Sequence, residues 1–177
     1  MTVIELGCGL RKAEGAIGLD INPRSDADVL CNLDSGNLPF RDSSIDKVLA
    51  CDVLEHVDNF VAVVEDIWRI LKPGGILEVS APFMSSVNYF SDPTHRRAFT
   101  SKSFDYFIKG TTSSEYRYSD AEFLLNSVEY EKNEYECRHF INRMIIRWAN
   151  NNMEKYERRY AFIFPVYQIY FELQAVK

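Results

Sequence analysis

The stretch Val3 to Asp20, VIELGCGLRKAEGAIGLD, constrains the fold more than any other part of the chain. Val3 to Leu6 is a short apolar run broken only by Glu5, the pattern of a strand covered on both faces of a parallel sheet. It leads into Gly7-Cys8-Gly9, where glycine permits a tight turn and a close approach of backbone to a ligand. A second apolar run, Ala16 to Ile21, carries Asp20 at its C-terminal end, where ligands sit in open parallel sheets. An acid at that point can accept both hydrogen bonds of a ribose diol. Strand, glycine turn and acid together make a nucleoside-binding layout, although a lone GxG also fits a plain turn.

The connection between these two strands departs from the usual pattern. A parallel crossover generally takes a dozen or more residues, and Gly7 to Gly15 supplies nine. Leu10 to Glu14 contains good helix formers and Gly15 suits a C-terminal cap, so the spacing predicts one helical turn in place of a full helix. Arg11 and Lys12 suit an incoming carboxylate better than they suit the positive end of a helix dipole.

Asn22-Pro23 closes the second strand, because the residue before proline avoids helix. Asp28 to Leu33 and Lys47 to Cys51 read as further strands. Asp58 or Asn59 then caps a helix whose apolar residues Val61, Val64, Ile67, Trp68 and Leu71 fall at helical spacing. That helix stops at Lys72-Pro73-Gly74-Gly75, and Ile76 to Ala81 is a fifth strand. The alternation predicts a right-handed, mostly parallel α/β sheet. Beyond Pro82, Phe83 to Ser103 is loop-like, Ser103 to Lys109 a short helix and Phe123 to Tyr135 mostly extended. Ile141, Met144, Ile145 and Trp148 mark another helix running toward Tyr156, and Ile169 to Val176 is a closing strand.

A chain of 177 residues fits one domain able to bury a core without staples. Cys8, Cys31, Cys51 and Cys137 form no CxxC pair and read as reduced thiols in a cytoplasmic protein. The chain starts almost directly on a strand with no leader of secretory type, and no run is apolar enough to predict a transmembrane segment. The net charge of -6 divides unevenly: residues 1–88 carry 7 basic and 14 acidic side chains, residues 89–177 carry 13 and 12. Overall charge therefore points away from nucleic acid as a partner, even with Arg96, Arg97, Arg143, Arg147, Arg158 and Arg159 in the second half.

Five segments in order, ELGCG at 5–9, GLDI at 18–21, LPFRDSSIDKV at 38–48, VLEHV at 53–57 and LKPGGILEVSAP at 71–82, resemble the class I S-adenosylmethionine-dependent methyltransferases, particularly the small type-11-like group. DPTHRRAFT at 92–100 is similar to a motif of one subgroup. The resemblance implies a Rossmann-like α/β fold, a seven-stranded mostly parallel sheet with a closing antiparallel strand, here with the first crossover helix shortened. Residues 1–83 become the cofactor-binding half and 84–177 the acceptor-side half of a single methyltransferase domain. It implies S-adenosylmethionine as cofactor and methyl transfer to an acceptor, expected to be a small molecule. Glu5 matches the acid that orients the methionine end of the cofactor, and the backbone of Gly7, Cys8 and Gly9 lets that end approach. Asp20 matches the ribose acid, and Ile21 lies against the adenine. Asn32 or Asp34, with Leu33 between them, reads the adenine amino group. Cys51 and Asp52 match positions nearest the amino-acid moiety and the methyl group.

Methyl transfer from a sulfonium is an in-line displacement in which the leaving thioether needs no proton, so positioning supplies much of the effect. A base is required only for a hydroxyl or protonated amine, and the candidates are His95, in Asp92-Pro93-Thr94-His95-Arg96-Arg97, and His56. Arg96 or Arg97 would suit an anionic acceptor. Asp52 and His56 lie four apart and His95 much later, a spacing that announces no metal site. The aromatics from Tyr156 to Phe171 suit core packing, an acceptor pocket, a homo-oligomer interface or contact with a membrane surface. Two other readings compete. A nicotinamide-dependent oxidoreductase would want a third glycine where Lys12 stands, and a catalytically silent binding subunit would account for the shortened crossover.

Overall fold

The computed structural model describes residues 1–131 and 140–177; Cys137, His139 and the end of the stretch expected to be extended to Tyr135 lie outside the described residues. Seven strands form one sheet in the order β3-β2-β1-β4-β5-β7-β6. They are β1 (Val3–Leu6), β2 (Ile17–Asp20), β3 (Val29–Leu30), β4 (Ile45–Cys51), β5 (Leu71–Pro82), β6 (Glu122–Tyr130) and β7 (Gln168–Val176). The first five are parallel, and β7 pairs antiparallel with both β5 and β6, so Val79 faces Phe171 and Val128 faces Phe171 from the other side. This is the seven-stranded, mostly parallel sheet expected, with the antiparallel closure supplied by the β6/β7 pair.

The fully buried residues of the sheet lie on one face; the other carries polar side chains such as Lys47 and Glu78, which pair at 2.7 Å while partly exposed, so the sheet is not covered on both faces as the run Val3–Leu6 suggested. Ile4, Leu6, Leu19, Val48 and Ala50 are fully buried in the centre of the sheet. Helix α1 (Phe60–Ile70) closes one face with Val63, Val64, Ile67 and Ile70. Asn59 caps it by accepting from the Ala62 amide at 3.2 Å. Val61, expected on the apolar stripe, points partly to solvent instead. Asp66, buried on the same helix, accepts from the Leu38 amide and from Arg69 Nε, and Arg69 in turn donates to the carbonyls of Phe40 and Leu38. That arrangement fixes the loop ahead of β4.

Aromatic residues extend the same layer, where Phe60 of α1 packs against Phe99 and Phe104. Phe83, Phe99, Phe104, Tyr130, Tyr156 and Phe171 are buried, with Phe104 and Phe171 rings 4.9 Å apart and Phe83 and Tyr130 rings also 4.9 Å apart. The carboxy-terminal aromatics thus divide: Tyr156 and Phe171 are core, whereas Phe162, Phe164 and Tyr167 are exposed. Helices α3 (Phe140–Asn151) and α4 (Met153–Arg159) flank this layer. The short helix α2 (Val87–Ser91) lies in a stretch expected to be loop, and the helix expected over Ser103–Lys109 is reduced to one tight turn at Asp105–Phe107.

The first crossover is barer than its sequence suggests. Residues 7–16 form turns only, without the single helical turn that Leu10 to Glu14 favoured. The Glu5 carboxylate explains how so short a link is held: Oε2 accepts from the Ala13 amide at 2.6 Å, tying the middle of the loop back to β1.

Candidate functional site

The strand ends β1, β2 and β4 meet where the strand order reverses between β1 and β4, the usual location of a ligand crevice in such sheets. A cavity of about 310 Å³ opens there. Gly7, Asp20 and Ile21 form one end, Asn32, Leu33 and Asp34 the side, and Asp52, Val53, His56 and Val57 the other end.

Gly7 and Gly9 both adopt left-handed backbone, at φ +63° and +56°. A Cβ at Gly7 would stand 2.4 Å from Val53 Cγ2, whereas a Cβ at Gly9 would meet nothing within 4 Å. Gly7 is therefore demanded by packing, and Gly9 leaves open space beside the turn. Asp20 holds the turn in place. Its Oδ2 accepts from the Gly9 amide at 2.8 Å and its Oδ1 from the Asn22 amide at 2.7 Å. The carboxylate therefore also makes the turn bond before Pro23, and each oxygen keeps a second lone pair for a ligand hydroxyl. Ile21 is 67% exposed, an apolar side chain open at the cavity rim.

Asn32 and Asp34 both line the cavity and are engaged differently. Asn32 Oδ1 accepts from the Asp34 amide at 3.1 Å, and Asp34 Oδ1 accepts from the amides of Asp58 and Asn59 ahead of α1. Four of the other residues expected at the site are not in the cavity wall. Glu5 is turned to Ala13, Cys8 is buried behind the turn, Gly9 flanks it, and Cys51 lies at the end of β4 outside it. Burial, helped by Asp20 and Glu5, raises the Cys8 thiol above its ordinary pKa, so it remains a protonated packing group.

A second cavity, of about 510 Å³, shares Asp52 and His56 with the first and is otherwise bounded by Glu55, Asn88, Asp92, His95 and Gln168 among others. Asp52 occupies the shared wall in a left-handed conformation, φ +49°, uncommon for a non-glycine residue. Gln168 Nε2 donates to its Oδ1 at 2.6 Å. His95, remote from His56 in sequence, comes within 4.7 Å of it between ring centres. His95 Nδ1 lies 2.9 Å from the Tyr89 carbonyl, which can only accept, so Nδ1 carries the proton, and in the neutral tautomer Nε2 has the lone pair. His56 Nδ1 lies 2.8 Å from Thr94 Oγ1, whose single proton is donated to Asp92 Oδ1 at 2.6 Å. Thr94 is thus the acceptor, and His56 too keeps its lone pair on Nε2. Burial, reinforced by His95, lowers the His56 pKa and keeps the ring neutral.

Sequence reasoning missed Glu55 and Gln168. Glu55 is fully buried, and neither of its oxygens has a hydrogen-bond partner among the described residues. Its only sequence signal is an acid between apolar Leu54 and His56. Arg97 has a different task from the one its position suggested. It donates to the carbonyls of Leu54, Val57 and Asp58 and packs over the Phe60 ring, which makes it a brace for the loop that carries Glu55 and His56. Arg96 pairs with Asp58 at 3.2 Å at the surface.

Sheet order, glycine turn and acid at the tip of β2 define a class I methyltransferase fold, and similar proteins carry the same assignment. Residues 5–79 match the family model described as a methyltransferase domain. It is 33% identical over 96 residues to a probable S-adenosylmethionine-dependent methyltransferase of Mycolicibacterium smegmatis, covering 45% of this chain and 37% of that one. It is 38% identical over 61 residues to the sterol 24-C-methyltransferase of Eremothecium gossypii, covering 34% and 16%. The chain spans less than half the length of these curated relatives. In fold it is similar to the crystal structure of a SAM-dependent methyltransferase from Archaeoglobus fulgidus, with a TM-score of 0.63 and 18% identity over 98% of this chain and 85% of that one. The residues present fit S-adenosylmethionine: an open glycine turn, a carboxylate with free lone pairs, an exposed apolar rim and a polar side wall. Among the described residues no helix is long and apolar enough to cross a membrane.

Proposed function

We propose that this protein transfers a methyl group from S-adenosylmethionine to a small-molecule acceptor that enters the second cavity. The observation that carries the proposal is the wall of Asp52 and His56 common to both cavities, because the sulfonium methyl must face its nucleophile directly. In this reading Asp20 receives the ribose hydroxyls, Ile21 covers one side of the adenine, and Asn32 or Asp34 receives the adenine amino group. The turn from Gly7 to Gly9 admits the methionine end, Glu5 holds the short crossover that supports the turn, and Cys8 backs it. Asp52 and Cys51 end the strand beneath the methyl group. His56 and His95, each with a lone pair on Nε2, act on an acceptor that must lose a proton. The thiols of Cys8, Cys31 and Cys51 are free, which suits the reducing cytoplasm proposed as its location.

The bare first crossover favours a second reading, a binding subunit that keeps the fold without catalysis. Calorimetric titration with S-adenosylhomocysteine and, separately, with NAD tests the proposal. Binding of S-adenosylhomocysteine alone is expected. If the folded protein binds neither, the methyltransferase reading fails and the non-catalytic one takes its place.

A further inference from the structure

Glu55, His56 and His95 gather three groups that can each give an electron pair, and burial pushes the Glu55 pKa up to about 7. Each offers a ligand atom, and these atoms lie within 4.8 Å of one another. The hydrogen bonds to the Tyr89 carbonyl and to Thr94 Oγ1 fix both imidazoles with the proton on Nδ1, the outer-partner arrangement that orients metal-bound histidines. Glu55 adds a carboxylate that is fully buried and without a hydrogen-bond partner among the described residues. An unpaired buried acid is costly unless something compensates it. A proton on Glu55 does not suffice, because Oε1 and His95 Nε2 stand 3.9 Å apart, beyond hydrogen-bond reach. A cation with bonds of about 2.0–2.2 Å to nitrogen and oxygen spans such a gap.

We propose that Glu55, His56 and His95 bind a divalent first-row transition-metal cation on the wall between the two cavities. Two imidazoles and one carboxylate are a donor set suited to zinc, cobalt, manganese or iron, and unsuited to calcium. The ligands are already directed by Tyr89, Thr94 and the Arg97 brace, so a closure of up to about 1.4 Å brings the widest pair to the separation of about 3.4 Å that a tetrahedral site needs. His56 lines both cavities, which puts the cation beside the acceptor in the methyl-transfer reading. The inference rests on that reading only for the cation's role. With the cation bound, the two histidines act on an acceptor through the metal and do not take its proton themselves.

The test is titration of the metal-stripped full chain with Co²⁺, followed by visible absorption, on the native protein and on Glu55→Gln and His95→Gln. Neither substituted residue lines the cofactor cavity, so S-adenosylhomocysteine binding reports whether each variant is folded. One Co²⁺ per chain is expected, with binding weakened in each variant by more than the ~10–100-fold typical of losing an outer-shell partner, and S-adenosylhomocysteine affinity retained. No cobalt bands in the native chain, or bands undiminished in both variants, would overturn the site. Cobalt binding without S-adenosylhomocysteine binding would uphold the metal site and reject the methyl-transfer reading.

Discussion

Gln168, the first residue of β7, donates from Nε2 to Asp52 Oδ1 across 2.6 Å, joining the closing strand to the tip of β4 on the wall of both cavities. The bond steadies a residue whose backbone is in the left-handed region. Gln168→Ala is expected to lower stability by about 1 kcal/mol, and Gln168→Glu, which sets a second carboxylate against Asp52, by more. Urea unfolding of the two variants checks the order; equal stability would show that the bond contributes nothing.

Asp20 both holds the Gly9 amide and faces the cavity. Asp20→Ala should weaken S-adenosylhomocysteine by about 1–3 kcal/mol, the scale of a lost hydrogen bond to a charged group. Calorimetry reads this directly, and an unchanged affinity would refute the ribose role.

The two glycines of the turn should respond differently. Gly7→Ala meets Val53 and adds strain at positive φ, so a loss of about 2–5 kcal/mol is expected, part of it recovered by Val53→Gly. Gly9→Ala meets open space and costs only the backbone strain of about 1–2 kcal/mol, but its methyl stands beside the cofactor turn. Thermal melts separate the two variants, and S-adenosylhomocysteine titration of Gly9→Ala should show weakened binding in a folded protein.

Asp66 satisfies the buried Leu38 amide and anchors Arg69. Asp66→Ala should cost about 1.5–3 kcal/mol in urea unfolding, because it leaves the amide unpaired. A neutral result would mean that the loop ahead of β4 holds itself.

The Tyr156 hydroxyl is buried and donates to the Phe164 carbonyl at 2.7 Å; burial pushes its pKa from 10 up to about 12. The unfolded chain therefore loses this proton first. The contribution to stability is complete below pH 10 and falls as pH rises toward 12. Tyr156→Phe should be less stable near neutrality and lose less between pH 10 and 12, measured by denaturant unfolding across that range. Parallel curves for the two proteins would remove Tyr156 from the alkaline transition.

The sequence determined the parallel sheet, because strand and helix periodicities are local: the apolar runs at Val3–Leu6 and Lys47–Cys51, and the helix opened by Asn59 and ended before Lys72-Pro73-Gly74-Gly75. It also marked Gly7, Asp20, Asn32, Asp34, Asp52 and His56 as candidates, since the glycine turn and the strand tips have fixed places in such sheets. Helix propensity overstated the first crossover, where the bond from Ala13 to Glu5 prevails over the preference of Leu10 to Glu14. Composition likewise could not divide the aromatics, because whether Tyr156 is buried and Phe162 exposed depends on what packs above them. Only the tertiary structure decided that His95 returns beside His56 over a buried, unpaired Glu55, and that Arg97 braces their loop instead of facing an acceptor. Contacts between residues about forty positions apart leave no period in a sequence, and the chemistry of this site depends on them.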